Sequence, residues 1–72
     1  MKLKAIKDDY MKISKERFVT KDKVYDVVHN DGKWIGIIDN RNKHHYFAAI
    51  AGHEGYFGNW FEVVKNQSFV QN

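Results

Sequence analysis

Four histidines and a neighbouring glutamate are the side chains whose chemistry could form a metal site. They are His29, His44, His45, His53 and Glu54. A zinc site needs three or four donors that converge on one point, whereas adjacent side chains such as His44 and His45 point to opposite faces of a strand. The chain has no cysteine to add thiolate ligands. We therefore predict surface imidazoles at the ends of turns, and no metal or other cofactor.

Catalytic chemistry has no supporting pattern in the sequence. Ser14 and Ser68 lie in polar segments without the tight strand-to-helix turn that exposes a nucleophilic serine. No pair of carboxylates has a spacing that indicates acid–base catalysis, and a 72-residue barrel has little interior for a substrate pocket. We predict a protein that is not an enzyme and has no catalytic residues.

Three glycines, Gly52, Gly55 and Gly58, form a G-x-x-G-x-x-G repeat before the last apolar run. A phosphate-binding loop would also need a helix N-terminus and usually a lysine, and a GxxG clamp on nucleic acid lies between two helices. We predict instead that these glycines give backbone freedom to a tight link into the final strand.

The composition indicates one small domain that is stabilised by the packing of its side chains, without disulfide bonds. Its 72 residues include 15% aromatic residues and no cysteine, and the net charge is +3. The first 23 residues contain eight Lys or Arg against four Asp or Glu, whereas residues 24–72 contain four against five. No run approaches the roughly 20 apolar residues that a membrane span requires. We expect a cytoplasmic protein without a membrane partner, with its basic character in the N-terminal third.

Short apolar runs between turn signals predict five strands. They are "MKLKAI" at 1–6, "KVYDVVHN" at 23–30, "KWIGIID" at 33–39, "HHYFAAIA" at 44–51 and "WFEVV" at 60–64. "NDG" at 30–32 and "NRNK" at 40–43 are typical of tight hairpin turns.

Two segments leave alternatives open. Residues 7–22 are polar with apolar anchors at Tyr10, Met11, Ile13, Phe18 and Val19, and are interpreted as a long excursion in preference to a helical turn. The alanines of residues 43–51 suit a helix, whereas the aromatic residues after a turn suit a strand.

Two stretches of the chain resemble the ends of SH3 domains. "AIKDDY" (5–10) is similar to the Ala-Leu-Tyr-Asp-Tyr motif that opens eukaryotic SH3 domains, and "GYFGNWF" (55–61) resembles the Gly-Tyr-Ile-Pro-Ser-Asn-Tyr-Val stretch that ends them. The SH3 peptide groove is walled by an aromatic residue of the long loop, a Trp that opens the third strand, and a Pro and a Tyr of the closing link. Tyr10 and Trp34 match the first two; Gly58 and Trp60 stand in place of the Pro and the Tyr.

A second resemblance covers most of the chain from Thr20 onward. Small proteins encoded by bacteriophages and their bacterial hosts read "threonine, two residues, lysine, aliphatic, tyrosine, acidic, valine" early and "aromatic, phenylalanine, glutamate, valine" at the end. Residues 20–27 and 60–64 follow this pattern, and residues 9–19 look like an insertion. The resemblance implies an SH3-like barrel and a phage-type accessory protein, in a group without an agreed activity.

The predicted fold is therefore all-β: a small five-stranded SH3-like barrel with a long loop after strand 1. The alternative is an α+β fold in which residues 43–51 are helical. One SH3-like domain spans residues 1–72, with a frayed tail at 66–72.

The predicted function is a non-enzymatic interaction protein, encoded by a phage and acting in the cytoplasm of a bacterium or a phage-infected bacterial cell. It binds a host or phage protein through exposed aromatic residues and a basic long loop, because Trp, Tyr and Arg contribute most to interface energies. The predicted partner-binding residues are Tyr10, Lys12, Lys15, Arg17, Trp34, Tyr56 and Trp60. Binding of single-stranded nucleic acid on the same basic rim is the alternative, and self-association along an exposed strand edge is a third possibility.

Overall fold

Strands account for nearly all of the regular structure in this chain. The computed structural model describes residues 1–65, so the frayed tail predicted at 66–72 lies outside the described residues. The elements are β1 (Lys2–Ala5), β2 (Asp9–Tyr10), β3 (Arg17–Val19), β4 (Val24–Asn30), β5 (Trp34–Ile38), β6 (His44–Ala48), a single 3₁₀ turn (Phe57–Asn59) and β7 (Phe61–Val63). Among residues 1–65 there is no helix long and apolar enough to cross a membrane.

Five of the strands form one antiparallel sheet in the order β6-β5-β4-β1-β7. The sheet is strongly curled into a half-barrel, which confirms the predicted small all-β barrel fold. β1 lies between β4 and β7, so the two ends of the described chain meet in neighbouring strands. The helical alternative for residues 43–51 is wrong, because β6 pairs with β5 in continuous register from Trp34 opposite Ala48 to Ile38 opposite His44.

The predicted long loop contains a hairpin of its own. β2 pairs with β3 in a separate two-stranded sheet, with a register shift between Asp9 and Tyr10. Phe18 and Val19 are buried as predicted, but the expectation that Ile13 is an anchor is wrong, because its side chain is 96% exposed. The hairpin is therefore fixed at its base by β3, and its tip projects from the domain.

The core is formed mostly by buried residues of the curled sheet. In β1 the buried Leu3 and Ala5 alternate with more exposed lysines, whereas β5 buries the successive residues 35–37 and β6 buries Phe47 and Ala48 at its end. The buried aromatic residues fill the space that the sheet encloses. The core cluster consists of Leu3, Ala5, Phe18, Val19, Tyr25, Ile35, Ile37, Phe47 and Phe61.

The two predicted hairpin turns are confirmed. In each of them an aspartate carboxylate accepts hydrogen bonds from main-chain N–H groups of the turn: Asp31 in the first and Asp39 in the second. In the first, the Asp31 carboxylate accepts hydrogen bonds from the N–H groups of Trp34 (2.8 Å) and Lys33 (2.9 Å) and lies 3.2 Å from a ring nitrogen of His29. These hydrogen bonds lower the pKa of Asp31 to about 2. Gly32, with a φ of 86°, supplies the left-handed residue that the turn needs.

Asn40, in the second turn, links that turn to β3 and β4. Its Oδ1 accepts hydrogen bonds from the hydroxyl of Tyr25 (2.8 Å) and the ammonium of Lys23 (3.0 Å), and its Nδ2 donates to Thr20 Oγ1 (2.9 Å). The Asn40 N–H donates to the carbonyl of Phe18 (3.0 Å). The Asn40 side chain thus accepts a hydrogen bond from the hydroxyl of a buried core tyrosine, and Asn40 fixes the β5–β6 turn against the end of β3.

The closing link is the segment between β6 and β7, residues 49–60, and its glycines serve different purposes. Gly52 has a φ of 91°, as the prediction of backbone freedom requires. Gly58 does not adopt a left-handed φ; a Cβ there would overlap the ring of Tyr56, coming within 3.0 Å of Cδ2. The prediction of conformational freedom is therefore wrong for Gly58, where the small side chain provides space for an aromatic ring.

Replacing Asn40 with alanine is expected to lower the free energy of unfolding by about 1–3 kcal/mol, because the Tyr25 hydroxyl and Thr20 lose partners in a half-buried site. Urea denaturation measures the change. Asn59→Ala is the matched control, since the Asn59 amide donates one hydrogen bond of 3.4 Å at an exposed position. Equal stabilities of the two variants would contradict the role given to Asn40.

Replacing Gly58 with alanine is expected to displace the Tyr56 ring and to lower the free energy of unfolding by about 1–3 kcal/mol, as overpacking does. NMR chemical shifts of the Tyr56 ring and thermal unfolding measure both effects. Gly55→Ala provides the control, because a Cβ at Gly55 would have its nearest neighbour 4.0 Å away. Unchanged Tyr56 shifts in Gly58→Ala would refute the steric explanation.

Candidate functional site

An open cleft of about 690 Å³ lies between the β2–β3 hairpin, the β5–β6 turn and the closing link. We call it the hairpin cleft. Most of its surface is apolar, and charged side chains surround it. It is lined by Asp9, Tyr10, Met11, Lys12, Ile13, Ser14, Glu16, Phe18, Arg41, Lys43, His45 and Trp60.

Stacked rings support the cleft. The imidazole of His45 stacks on Phe18, with ring centroids 4.4 Å apart and planes 8° apart, and on Phe47 at 4.8 Å and 21°. Phe47 in turn contacts Trp60, whose centroid is 5.0 Å away. Because Phe18 and Phe47 belong to the buried core, this side of the cleft is a rigid extension of that core.

His45 is held by a buried carboxylate. Its Nδ1 lies 3.3 Å from Asp39, whose side chain is fully buried. The same carboxylate accepts hydrogen bonds from Arg41 through the main-chain N–H (2.8 Å), Nε (3.2 Å) and Nη2 (2.8 Å), and from the N–H of Lys43 (3.3 Å). Burial raises the pKa of Asp39, but these hydrogen bonds outweigh burial and hold the pKa below its ordinary value. The prediction that His45 is a surface imidazole is therefore wrong: the side chain is half-buried and its orientation is fixed.

A long-range hydrogen bond ties the hairpin to the closing link. The indole N–H of Trp60 donates to Asp9 Oδ2 at 2.7 Å, and the N–H of Tyr10 donates to Asp9 Oδ1 at 2.8 Å. The bond from Trp60 is the largest cause of the lowered pKa of Asp9, which burial opposes. The ammonium of Lys7 lies 5.2 Å from the Trp60 ring centroid. Trp60 is thus a fixed, half-buried wall of the cleft.

Three of the seven predicted partner-binding residues meet at this cleft: Tyr10, Lys12 and Trp60. Lys15 lies in the hairpin tip with a φ of 66°, and Arg17 lies at the hairpin base, 4.0 Å from Asp8. The insertion-like segment therefore supplies most of the residues that line the cleft.

Trp34 and Tyr56 lie elsewhere. Trp34 is 45% exposed and borders a separate hollow of about 220 Å³ with Lys33, Ala48, Ile50 and His53. Tyr56 packs edge-on against Phe57, with centroids 4.9 Å apart. The seven predicted residues therefore do not form one continuous surface.

Sequence reasoning missed Lys43, His45 and the exposed Ile13 as cleft residues, and it missed Asp39 as the buried carboxylate that holds His45. One signal was available, because an aspartate directly before an Asn-Arg-Asn turn is suited to accept hydrogen bonds from the N–H groups of that turn. The stacking of His45 on Phe18 had no signal in the sequence, because Phe18 is distant along the chain. Within residues 1–65, no three His, Asp or Glu side chains are grouped so that they could hold a metal ion.

Replacing Trp60 with phenylalanine is expected to raise the pKa of Asp9 toward its ordinary value, because the indole N–H that favours the carboxylate is lost. In the wild type the pKa of Asp9 is lower in the folded state than in the unfolded state, so ionised Asp9 stabilises the fold at pH values above the unfolded-state pKa. This stabilisation is lost as the pH falls through the folded-state pKa. NMR titration of the Asp9 carboxyl carbon measures the shift. Trp34→Phe, at the other tryptophan, should leave it unchanged; identical titration of Asp9 in both variants would contradict the assigned bond.

Comparison of this chain with family models, with curated proteins and with solved structures finds no match. The geometry of the hairpin cleft, with its stacked aromatic wall and basic rim, is therefore the basis for the functional assignment.

Proposed function

We propose that this protein is a non-enzymatic interaction domain that binds a short segment of a partner protein in the hairpin cleft. The observation that carries the proposal is the cleft itself, an open and mostly apolar surface of about 690 Å³ walled by Tyr10, Phe18, His45 and Trp60. Rigid aromatic walls bind at a low cost in conformational entropy, since their side chains are already ordered.

Exposed apolar side chains beside the cleft support a macromolecular partner. Ile13 is 96% exposed and Tyr10 is 51% exposed, both on the projecting hairpin. Single exposed apolar residues are common, but these two lie with half-buried Met11 and Trp60 around one concave surface. An apolar side chain of a partner, seated against this surface, would cover all four.

The charges around the cleft indicate the chemistry of the bound segment. Lys12 and Lys43 line the rim, and neither ammonium forms an ion pair within residues 1–65. Of the two acids that line the cleft, Asp9 accepts the indole N–H of Trp60, whereas the Glu16 carboxylate forms no ion pair within residues 1–65. Arg41, the third base of the lining, is paired with Asp39. The two lysines are complementary to Asp or Glu side chains that flank an apolar anchor.

The likeness to SH3 domains and to small phage and bacterial proteins supports the same proposal from the sequence. It suggests an SH3-like barrel of the phage-type accessory group, acting on a phage or host protein in the cytoplasm of a bacterial cell. Tyr10 and Trp60, which occupy positions of the SH3 groove in that comparison, belong to the hairpin cleft.

Selection of peptides from a random display library tests the proposal. We expect enrichment of segments that combine a large apolar residue with Asp or Glu, and NMR shift changes on the cleft residues when such a peptide is added. Ile13→Asp should weaken binding on the order of tenfold, which corresponds to about 1.4 kcal/mol. Ile50→Asp is the matched control, because Ile50 is also an exposed isoleucine (61%) but borders the other hollow.

Two outcomes would overturn the proposal. Peptides that bind both isoleucine variants equally, or that shift residues around Trp34 alone, would place recognition outside the hairpin cleft. Failure to select any peptide, together with oligonucleotide binding that weakens steeply with added salt, would assign the basic rim to single-stranded nucleic acid instead.

A further inference from the structure

β6 is an edge strand whose main chain is open on one side. It pairs with β5 on one side and has no second strand of the five-stranded sheet on the other. The N–H of Ala49 donates to Lys33 on the β5 side (2.9 Å), whereas the N–H of Ala48 donates to Gly55 on the far side (2.8 Å). Because main-chain groups alternate along an antiparallel strand, the N–H and C=O groups of His44 and Tyr46 also face away from β5.

The closing link covers only one end of this edge. Tyr56 forms an isolated parallel bridge with Ala48, so the open part of the edge consists of residues 44–46. Within residues 1–65, the N–H groups of His44 and Tyr46 donate no main-chain hydrogen bond outside the β5–β6 pairing. These groups are therefore available to a further strand.

We propose that a second copy of this chain pairs antiparallel along β6, with a two-fold axis at His45. In that register His44 of each copy faces Tyr46 of the other, and each facing pair exchanges two hydrogen bonds through the outward N–H and C=O groups. The two half-barrel sheets then join into one continuous sheet. This surface is the main-chain edge of β6, and it borders the hairpin cleft at His45.

The sequence of β6 favours a second copy over an unrelated strand. A second copy presents the same uncharged edge, and a two-fold axis at His45 pairs both outward residues of each strand. The strand "HHYFA" contains no Lys, Arg, Asp or Glu, whereas the opposite edge strand, β7, carries Glu62. Charged side chains are the usual means by which edge strands avoid pairing with one another, and β6 lacks them.

The side chains on both faces are compatible with this pairing. On the outer face His44 and Tyr46 are exposed, and they already approach edge-on within one copy, with centroids 6.3 Å apart. Across the axis, His44 of one copy would meet Tyr46 of the other in the same kind of contact. On the inner face the two His45 rings would be neighbours, each held by its own Asp39.

Sedimentation velocity over a concentration series, combined with amide hydrogen exchange by NMR, tests this dimer. We expect a monomer–dimer equilibrium in which exchange of the His44 and Tyr46 amides slows as the protein concentration rises. His44→Pro removes an outward N–H from each copy and should weaken the dimer on the order of tenfold. His44→Ala keeps the N–H and should leave dimerisation largely unchanged.

A second variant tests the dimer even if His44→Pro does not fold. Tyr46→Lys keeps the main-chain N–H but places a charge at the edge of each copy, and should also weaken the dimer. A protein that stays monomeric at the highest concentration, or that dimerises while both amides exchange freely, would overturn the proposal. Equal dimerisation of wild type, His44→Pro and Tyr46→Lys would overturn it as well.

Discussion

The arrangement of the cleft depends on one buried carboxylate. Asp39 follows β5 directly and accepts hydrogen bonds from two main-chain N–H groups of the next turn, from the guanidinium of Arg41 and from His45. A buried carboxylate is tolerated only when it is paired and hydrogen-bonded in this way. Its requirements therefore fix the path of the turn and the orientation of the imidazole that stacks on Phe18.

The hairpin is then held from two directions. Phe18 stacks on His45, and Asn40 of the turn bonds the main chain of β3, which fixes the base of the hairpin. Asp9 accepts the indole N–H of Trp60, which joins the other strand of the hairpin to the closing link. Between these two attachments the chain encloses an apolar surface that the five-stranded sheet alone would not form.

The strands and tight turns could be predicted because their signals are local. Period-2 alternation in residues 1–6, the short apolar run at 33–39, and the Asn, Asp and Gly residues at the turns depend only on neighbours along the chain. The cleft could not be predicted in the same way. Asp9 and Trp60 are separated by 51 positions, and Phe18, one of the two rings on which His45 stacks, belongs to a segment whose short strands carry no clear alternation. One apolar residue of that segment, Ile13, is exposed where the local pattern predicted an anchor.

The position of β1 between β4 and β7 has a kinetic consequence. Ala5 pairs with Phe61 near the other end of the described chain, so this pairing closes a loop that contains almost every other element. Closing a long loop costs entropy before the contacts it brings together repay that cost, and proteins dominated by such pairings fold slowly for their size. The meander of β4, β5 and β6 has only local pairings and can form earlier. Among the strand pairings of residues 1–65, that of β7 with β1 therefore carries the largest loop-closure cost.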